Sequence, residues 1–242
     1  MDQIVERAVR TIRERYAETL SLDDVARAAL VSKFHLLRVF RQTVGVTPGR
    51  FLGAVRIDEA KRLLRDSDRG VAAIACLVGY SSTGSFTSRF TESVGIPPVR
   101  YRQVSRGAGD FPVRAVGDPG GRPVRGVARA AARSPVSIGT FDSPILQGRP
   151  SSWATLEHPG PFVLHQVPYG MWYLHAAMRA GGVLFTATLG PLPVEPCAGP
   201  EVDLVLCPRD WSQPPVLFAV PGLEEPALQP GSSGRRADSS IC

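Results

Sequence analysis

At 242 residues with 43% hydrophobic content, the chain is long enough for one large or two modest domains, each with its own core. Its formal net charge of +6 is unevenly held: residues 1–106 carry 18 Lys+Arg against 11 Asp+Glu, a net of +7, and the remainder nets −1. That asymmetry favours a polyanionic partner for the N-terminal half. No apolar run approaches the roughly 18–20 residues of a membrane span, and the opening MDQIVER is charged, unlike a signal peptide, so a cytoplasmic protein is expected.

The first predicted helix covers 3–16, where Ile4, Ala8, Ile12 and Tyr16 fall on one stripe. Ser21 with Asp24 marks a capping-box start for a second helix, whose buried face is Leu22, Val25, Ala26 and Ala29. A turn at Leu30–Ser32 leads into a third helix from about Lys33 to Thr43, ended by Gly45. Residues 50–65 form a longer helix with Leu52, Ala60, Leu63 and Leu64 inward, and Ser67–Gly70 breaks the chain. A further helix with Val71, Ile74, Ala75 and Val78 inward is followed by Gly79 and Tyr80 in a turn and by a helix over Ser82–Ser93.

The second half of this run repeats the first. Ser32, Leu36, Phe40, Gly45, Pro48 and Phe51 return fifty residues later as Ser82, Phe86, Phe90, Gly95, Pro98 and Tyr101. A repeated unit of helix, short turn and helix is the pattern of a helix-turn-helix, and two units suit two neighbouring stretches of major groove. In the first unit Leu36, Val39 and Phe40 face the core, which turns Lys33, Phe34, Leu37 and Arg38 outward. There Arg38 can reach guanine while Phe34 and Leu37 contact thymine methyls; alternatively, the two apolar residues complete a wider buried face. In the second unit Thr83, Gly84, Thr87 and Ser88 face out, short side chains better suited to phosphate than to base edges. The 26 Arg against 2 Lys suit bidentate phosphate and guanine contacts, and equally a GC-rich genome.

The segments SLDDVARAA, SKFHLLRVFRQTVGVTP, RIDEAKRLL, IACLVGYSSTGSFTSRF and GIPPVRYR, spread from about Val5 to Arg102, resemble the DNA-binding domain of the AraC/XylS family of transcription regulators. The resemblance implies seven helices, with two helix-turn-helix units joined by a long helix and a recognition helix from each entering successive major-groove segments. It makes Lys33, Phe34, Leu37 and Arg38 first-unit contacts and places Thr83, Gly84 and Ser88 at the base-facing positions of the second. Arg41, Thr87 and Arg89 become backbone contacts or local structural partners, and Arg56 a structural ion-pair residue. Gly84 departs from the family pattern, since a side chain there often reads a base. The order departs too, because most members carry this domain last, behind a sensor.

Of 22 prolines, 19 follow residue 106, too many for a helical bundle. Strands are expected at Val124–Arg129, Val136–Phe141, Ser152–Glu157, Phe162–Val167, Met171–Ala177, Val202–Cys207 and Val216–Val220, a spacing that favours a β-sandwich. The predicted organisation is thus multi-domain: an all-α DNA-binding domain over 1–106, a linker over 107–119, an all-β domain over 120–225 and a disordered tail over 226–242. With Pro168–Gly170 as a hairpin turn, Phe162, Leu164, Trp172, Leu174 and Ala176 share a core face, and Val163, His165, Tyr173 and His175 the other. The run VPYGMWYLHA resembles the hairpin motif of transthyretin-like or carboxypeptidase-regulatory-like β-sandwiches, modules associated with interaction or support.

Cys76, Cys197, Cys207 and Cys242 show no CxxC spacing, and Cys76 reads as a small core residue. His165 and His175, with Cys197 or Cys207 nearby, offer a metal-responsive alternative. There is no GxSxG elbow, Walker loop or HExxH helix, so no catalytic residue or cofactor is expected and the protein reads as a regulator, not an enzyme. Expected partners are double-stranded DNA, RNA polymerase, a small-molecule effector and a second copy of the chain, with no membrane. The β-rich half is expected to sense an effector, dimerise or contact protein, or else to be structural only.

Overall fold

A computed structural model describes residues 2–108, 115–197, 199–219 and 223; the expected tail and residues 109–114 of the expected linker lie outside these. Among the described residues seven helices precede eight strands. The helices are α1 (Asp2–Arg15), α2 (Leu22–Ala28), α3 (Lys33–Val44), α4 (Pro48–Asp66), α5 (Val71–Leu77), α6 (Thr83–Val94) and α7 (Pro98–Ser105).

Local chemistry sets their ends. Ser21 Oγ accepts from the Asp24 amide and the Asp24 carboxylate accepts from the Ser21 amide, a full capping box at α2. Ser32 and Ser82 cap α3 and α6 in the same way as each other, each accepting from the amide three residues on. Both α3 and α6 end at a glycine in the left-handed region, Gly45 at φ 78° and Gly95 at φ 91°, where a Cβ would be strained. The duplication extends into the core: Phe40 meets Phe51 edge-on at 5.6 Å, and Phe90 meets Tyr101 edge-on at 5.6 Å, at the same spacing in both repeats. Such fully buried aromatic pairs are worth about 0.5–1.5 kcal/mol beyond their area.

The strands are β1 (Arg122–Arg129), β2 (Val136–Phe141), β3 (Ser152–Leu156), β4 (Pro161–Val167), β5 (Gly170–Ala180), β6 (Val183–Val194), β7 (Glu201–Val205) and β8 (Cys207–Pro208). They form two sheets, β4-β1-β7 and β3-β2-β5-β6-β8. The pair β1/β7 is parallel and every other pairing is antiparallel. One core draws Val124, Leu164 and Leu204 from the first sheet and Ile138, Leu174 and Met178 from the second. The other face of the five-stranded sheet is covered as well, with Phe141 and Ala177 packed on Leu146, Phe218 and Leu223. Buried from both sides, β2 has no exposed position.

That second covering layer is also the junction with the helices. Ile145, Leu217 and Ala219 belong to the helical core, Gly148 N donates to Ser93 O at 2.7 Å, and Ala219 N donates to Val94 O at 3.2 Å. The Lys61 ammonium, itself buried, donates to Val216 O at 3.1 Å, and Arg50 Nη2 donates to Ser143 Oγ at 3.2 Å. The segment 211–219 and the loop 142–149 therefore strap the β-rich region to α4 and to the C-terminal end of α6.

Several expectations are corrected. The run 160–177 is not a hairpin: β4 pairs with β1, β5 pairs with β2 and β6, and the two lie in different sheets. Phe162, Leu164, Leu174 and Ala176 do meet in one core, with Trp172 half-buried against it, because the sheets face each other there. The expected strand 202–207 is split, β7 joining one sheet and β8 the other. Val216–Ala219 forms no strand: Leu217 and Ala219 pack on the helices while Val216 and Phe218 pack on the five-stranded sheet, Val220 lying outside the described residues. Strand β6 was not expected at all. Cys76 is exposed, being on the far side of α5 from Ile74 and Ala75.

Candidate nucleic-acid interface

The position of α3 is set by Leu36, Val39, Phe40 and Val44, all buried, which leaves the opposite face to solvent. Phe34 is 75% exposed, so the wider-buried-face alternative does not hold for it, whereas Leu37 is half-buried. Lys33 Nζ lies 3.5 Å from Asp23 Oδ1 and 5.8 Å from the centroid of the Phe34 ring. Arg38 is exposed, with Nη2 3.1 Å from His35 Nδ1, and Arg41 is exposed one turn further along. These five side chains occupy one face of one helix, with Lys33 and Arg38 held only by surface partners that an anion can displace.

On α6 the buried set is Phe86, Phe90, Ser93 and Val94. Thr83, Gly84 and Ser88 are exposed and Thr87 is half-buried. A Cβ built on Gly84 meets nothing within 4 Å, so the glycine is not required by packing. Arg89 Nη1 donates to Glu92 Oε2 at 3.0 Å, an i,i+3 pair that turns it along the helix rather than out of it. The side chains that α6 exposes are thus shorter and less charged than those of α3.

Their relative placement depends on Arg56 and Gly79. Arg56 Nε donates to Tyr16 O at 2.7 Å and Nη2 to Glu18 O at 2.8 Å, with its guanidinium 5.9 Å from the Tyr80 ring centroid. Burial pushes its pKa down. Arg56 is therefore structural, but it caps backbone carbonyls rather than pairing with an acid, which corrects the ion-pair expectation. Gly79 sits against this clamp: a Cβ there would lie 2.8 Å from Ala17 O and 3.0 Å from Arg56 Nη2. The equivalent place in the first unit is held by Leu30, also left-handed at φ 60°, and both turns close with the same pair of backbone hydrogen bonds.

Two features were not read from the sequence. The loop 142–149 comes beside α6, forming with Arg50 an open cleft of about 830 Å³ that includes Thr87 and Ser88. A second cavity of about 430 Å³ lies where Tyr173, His175, Thr186 and Thr188 of the five-stranded sheet face Val44, Gly45, Ile145 and Gln213. Among the described residues its lining carries no Asp, Glu, Lys or Arg. No local signal marks either, since both depend on which loop the sheet brings to the helices.

His175, 2% exposed, forms part of that second lining. Its Nε2 is 2.8 Å from Ser143 O and its Nδ1 2.9 Å from Thr188 Oγ1. A carbonyl can only accept, so Nε2 carries the proton and Nδ1 accepts from the hydroxyl. Burial pushes the pKa down to about 4, partly offset by the Ser143 carbonyl. His165 is exposed on the other sheet, so the two imidazoles do not share a face and the paired-histidine metal site is not formed. Among the described residues no group of three or more His, Cys, Asp or Glu is placed to hold a metal ion, and no helix is long and apolar enough to cross a membrane.

The helix-turn-helix domain family matches residues 25–104. The chain is 36% identical over 108 residues to the HTH-type transcriptional activator AarP of Providencia stuartii, covering 45% of this chain and 80% of that protein. It is 34% identical over 102 residues to an AraC-like transcription regulator of Streptomyces lividans, covering 42% and 34% respectively. An AraC-type DNA-binding domain protein of Chromobacterium violaceum aligns with TM-score 0.43 and 28% identity over 45% of this chain and 96% of that one. The chain spans about a third of the length of several other curated relatives it matches, and the family match falls on the helical region.

Proposed function

Because the chain belongs to the AraC family of helix-turn-helix transcription regulators, we propose that it regulates transcription by inserting α3 and α6 into successive major-groove segments of double-stranded DNA. In this reading Lys33, Phe34, Leu37 and Arg38 read bases, Thr83, Gly84 and Ser88 face the second groove, and Arg41, Thr87 and Arg89 serve the phosphate backbone. The observation that carries it is Phe34, a large apolar side chain left 75% exposed beside Arg38 on a helix whose packing is otherwise complete. The same assignment divides the chain into a DNA-binding domain over 1–106, a linker over 107–119 and a β-sandwich domain over 120–225. Selection of bound DNA from a random pool, followed by footprinting, tests it: two protected major-groove patches on one face, about 34 Å apart, are expected. A single patch, or no enrichment of any sequence, overturns it.

We further read the β-rich half as a regulatory module rather than an enzyme, with a small-molecule effector, a second copy of the chain and RNA polymerase as its partners. The charge-free cavity of about 430 Å³ between the five-stranded sheet and the end of α3 supports the effector part, since domain junctions of this size commonly hold ligands. An effector there must favour one DNA-binding state, so it would change DNA affinity and thermal stability together. A purely structural module is the second reading, favoured by the hydrogen bonds that strap the two halves together. Metabolite extracts that change neither DNA affinity nor melting temperature would select it.

A further inference from the structure

We infer that the β-rich region itself takes part in DNA binding, through Arg149 on the loop beside α6, which contacts a backbone phosphate flanking the groove that α6 enters. The inference rests on the DNA-binding reading above and extends the interface beyond the helical domain.

Three observations converge. First, the loop is held in place. Gly148 N donates to Ser93 O of α6 at 2.7 Å, and Ser143, itself buried, accepts from Arg50 at the start of α4 while its backbone carbonyl faces His175. A residue adjoining Gly148 is therefore fixed relative to the second recognition helix and not merely tethered to it. Second, the cleft between loop and helix is shared with Thr87 and Ser88, the hydroxyl residues on the DNA-facing side of α6, and is open to solvent with a volume of about 830 Å³. Third, the cations and anions of the cleft are not equally engaged. Arg89 is paired with Glu92, and Arg50 rests on the Ser143 hydroxyl. Arg149 is exposed, and among the described residues no hydrogen bond or ion pair engages its side chain. Asp142 is the remaining acid on the lining, exposed at the other end of the loop.

A guanidinium on a loop whose backbone is fixed, opening onto the same cleft as two hydroxyls, is a phosphate-binding arrangement. It also answers a weakness of the second probe, whose helix offers a glycine and short side chains where the first offers Lys33 and Arg38. Phosphate contacts position a probe without specifying sequence, so Arg149 would hold α6 in its groove and leave the choice of bases to α3.

The test uses the full chain and the DNA it enriches from a random pool, with binding measured across salt concentrations for wild type, Arg149→Ala, Arg149→Glu, Arg149→Lys and Arg125→Ala. Arg125 is an exposed arginine on β1, in the sheet that does not face the helices. Arg149→Ala should weaken binding about three- to tenfold near 0.1 M salt and reduce the salt slope by about 1, leaving the selected sequence unchanged. Arg149→Glu should weaken it further, Arg149→Lys should retain most of the affinity, and Arg125→Ala should match wild type. Unchanged affinity and slope for Arg149→Ala and Arg149→Glu overturn the inference, as does tighter binding, which would mean that the loop screens the groove. Failure of the wild type to enrich any DNA falls on the DNA-binding reading instead.

Discussion

In the proposed binding mode base readout rests most directly on Arg38, the exposed guanidinium beside Phe34 on α3. Arg38→Ala should cost about 1–3 kcal/mol in DNA binding and relax preference at one base pair, whereas Ser88→Ala should change little. A selected consensus identical to wild type would remove Arg38 from readout. His175 gives a prediction of a different kind. Its folded pKa, about 4, lies below the ordinary 6.5, so the unfolded chain takes up the proton first as pH falls. The stability contributed by the neutral ring is complete above about pH 6.5 and is lost as pH drops through about 4, by about 3 kcal/mol across that window. Urea midpoints at pH 7 and pH 4.5 measure it, and His175→Gln should flatten the difference. At this scale the helical side chains were legible, because a 3.6-residue period assigns a face to each one. Cys76 departs from the small-core reading because the angular position that follows buried Ile74 and Ala75 on α5 faces solvent, whatever the residue type prefers. His175 was misplaced for another reason: alternation says which face of a strand a side chain is on, not what lies over that face.

The repeated helix-turn-helix is the element best specified by sequence, since capping serines, terminal glycines and aromatic pairs recur together. Its two turns nevertheless solve one backbone problem differently, with Gly79 in one and Leu30 in the other, both left-handed. A branched side chain in that region costs about 1–2 kcal/mol, and glycine returns part of the gain through chain entropy. Leu30, 77% exposed, has little packing to lose, so Leu30→Gly should stabilise the protein by about 0.5–1 kcal/mol in urea unfolding. A loss of stability would show that the exposed side chain is packed in solution. Among the strands, β2 and the core faces of β4 and β5 were legible and the connection between them was not. An intra-sheet hairpin and a crossing between facing sheets both put Phe162, Leu164 and Leu174 into one core, so the pattern of residues is the same for either. Strand β6 escaped because its residues are mostly exposed or half-buried and its second half, LGPLPV, carries two prolines and a glycine, ordinarily signs of a loop.

At the scale of the molecule, the helical domain is less self-contained than its charge and motifs suggest. Ile145, Leu217 and Ala219 close its core from the other half of the chain. Leu217→Ala should therefore cost about 2–5 kcal/mol in denaturant unfolding and lower the stability of the helices along with that of the sheets. If the helical unfolding transition stays where it is in wild type, the two halves unfold independently. A fragment ending at residue 106 should keep its helical circular dichroism and still bind DNA, but melt at a lower temperature than the full chain. Segment 211–219 also has a consequence for synthesis. On the ribosome α3 and α6 emerge before the β-rich region, yet Leu217 and Ala219, which seal the core behind them, are made only after β8. A nascent or prematurely terminated chain would present its DNA-binding surface on an unsealed scaffold, open to proteolysis, and intact regulators would be those that had been translated through residue 219.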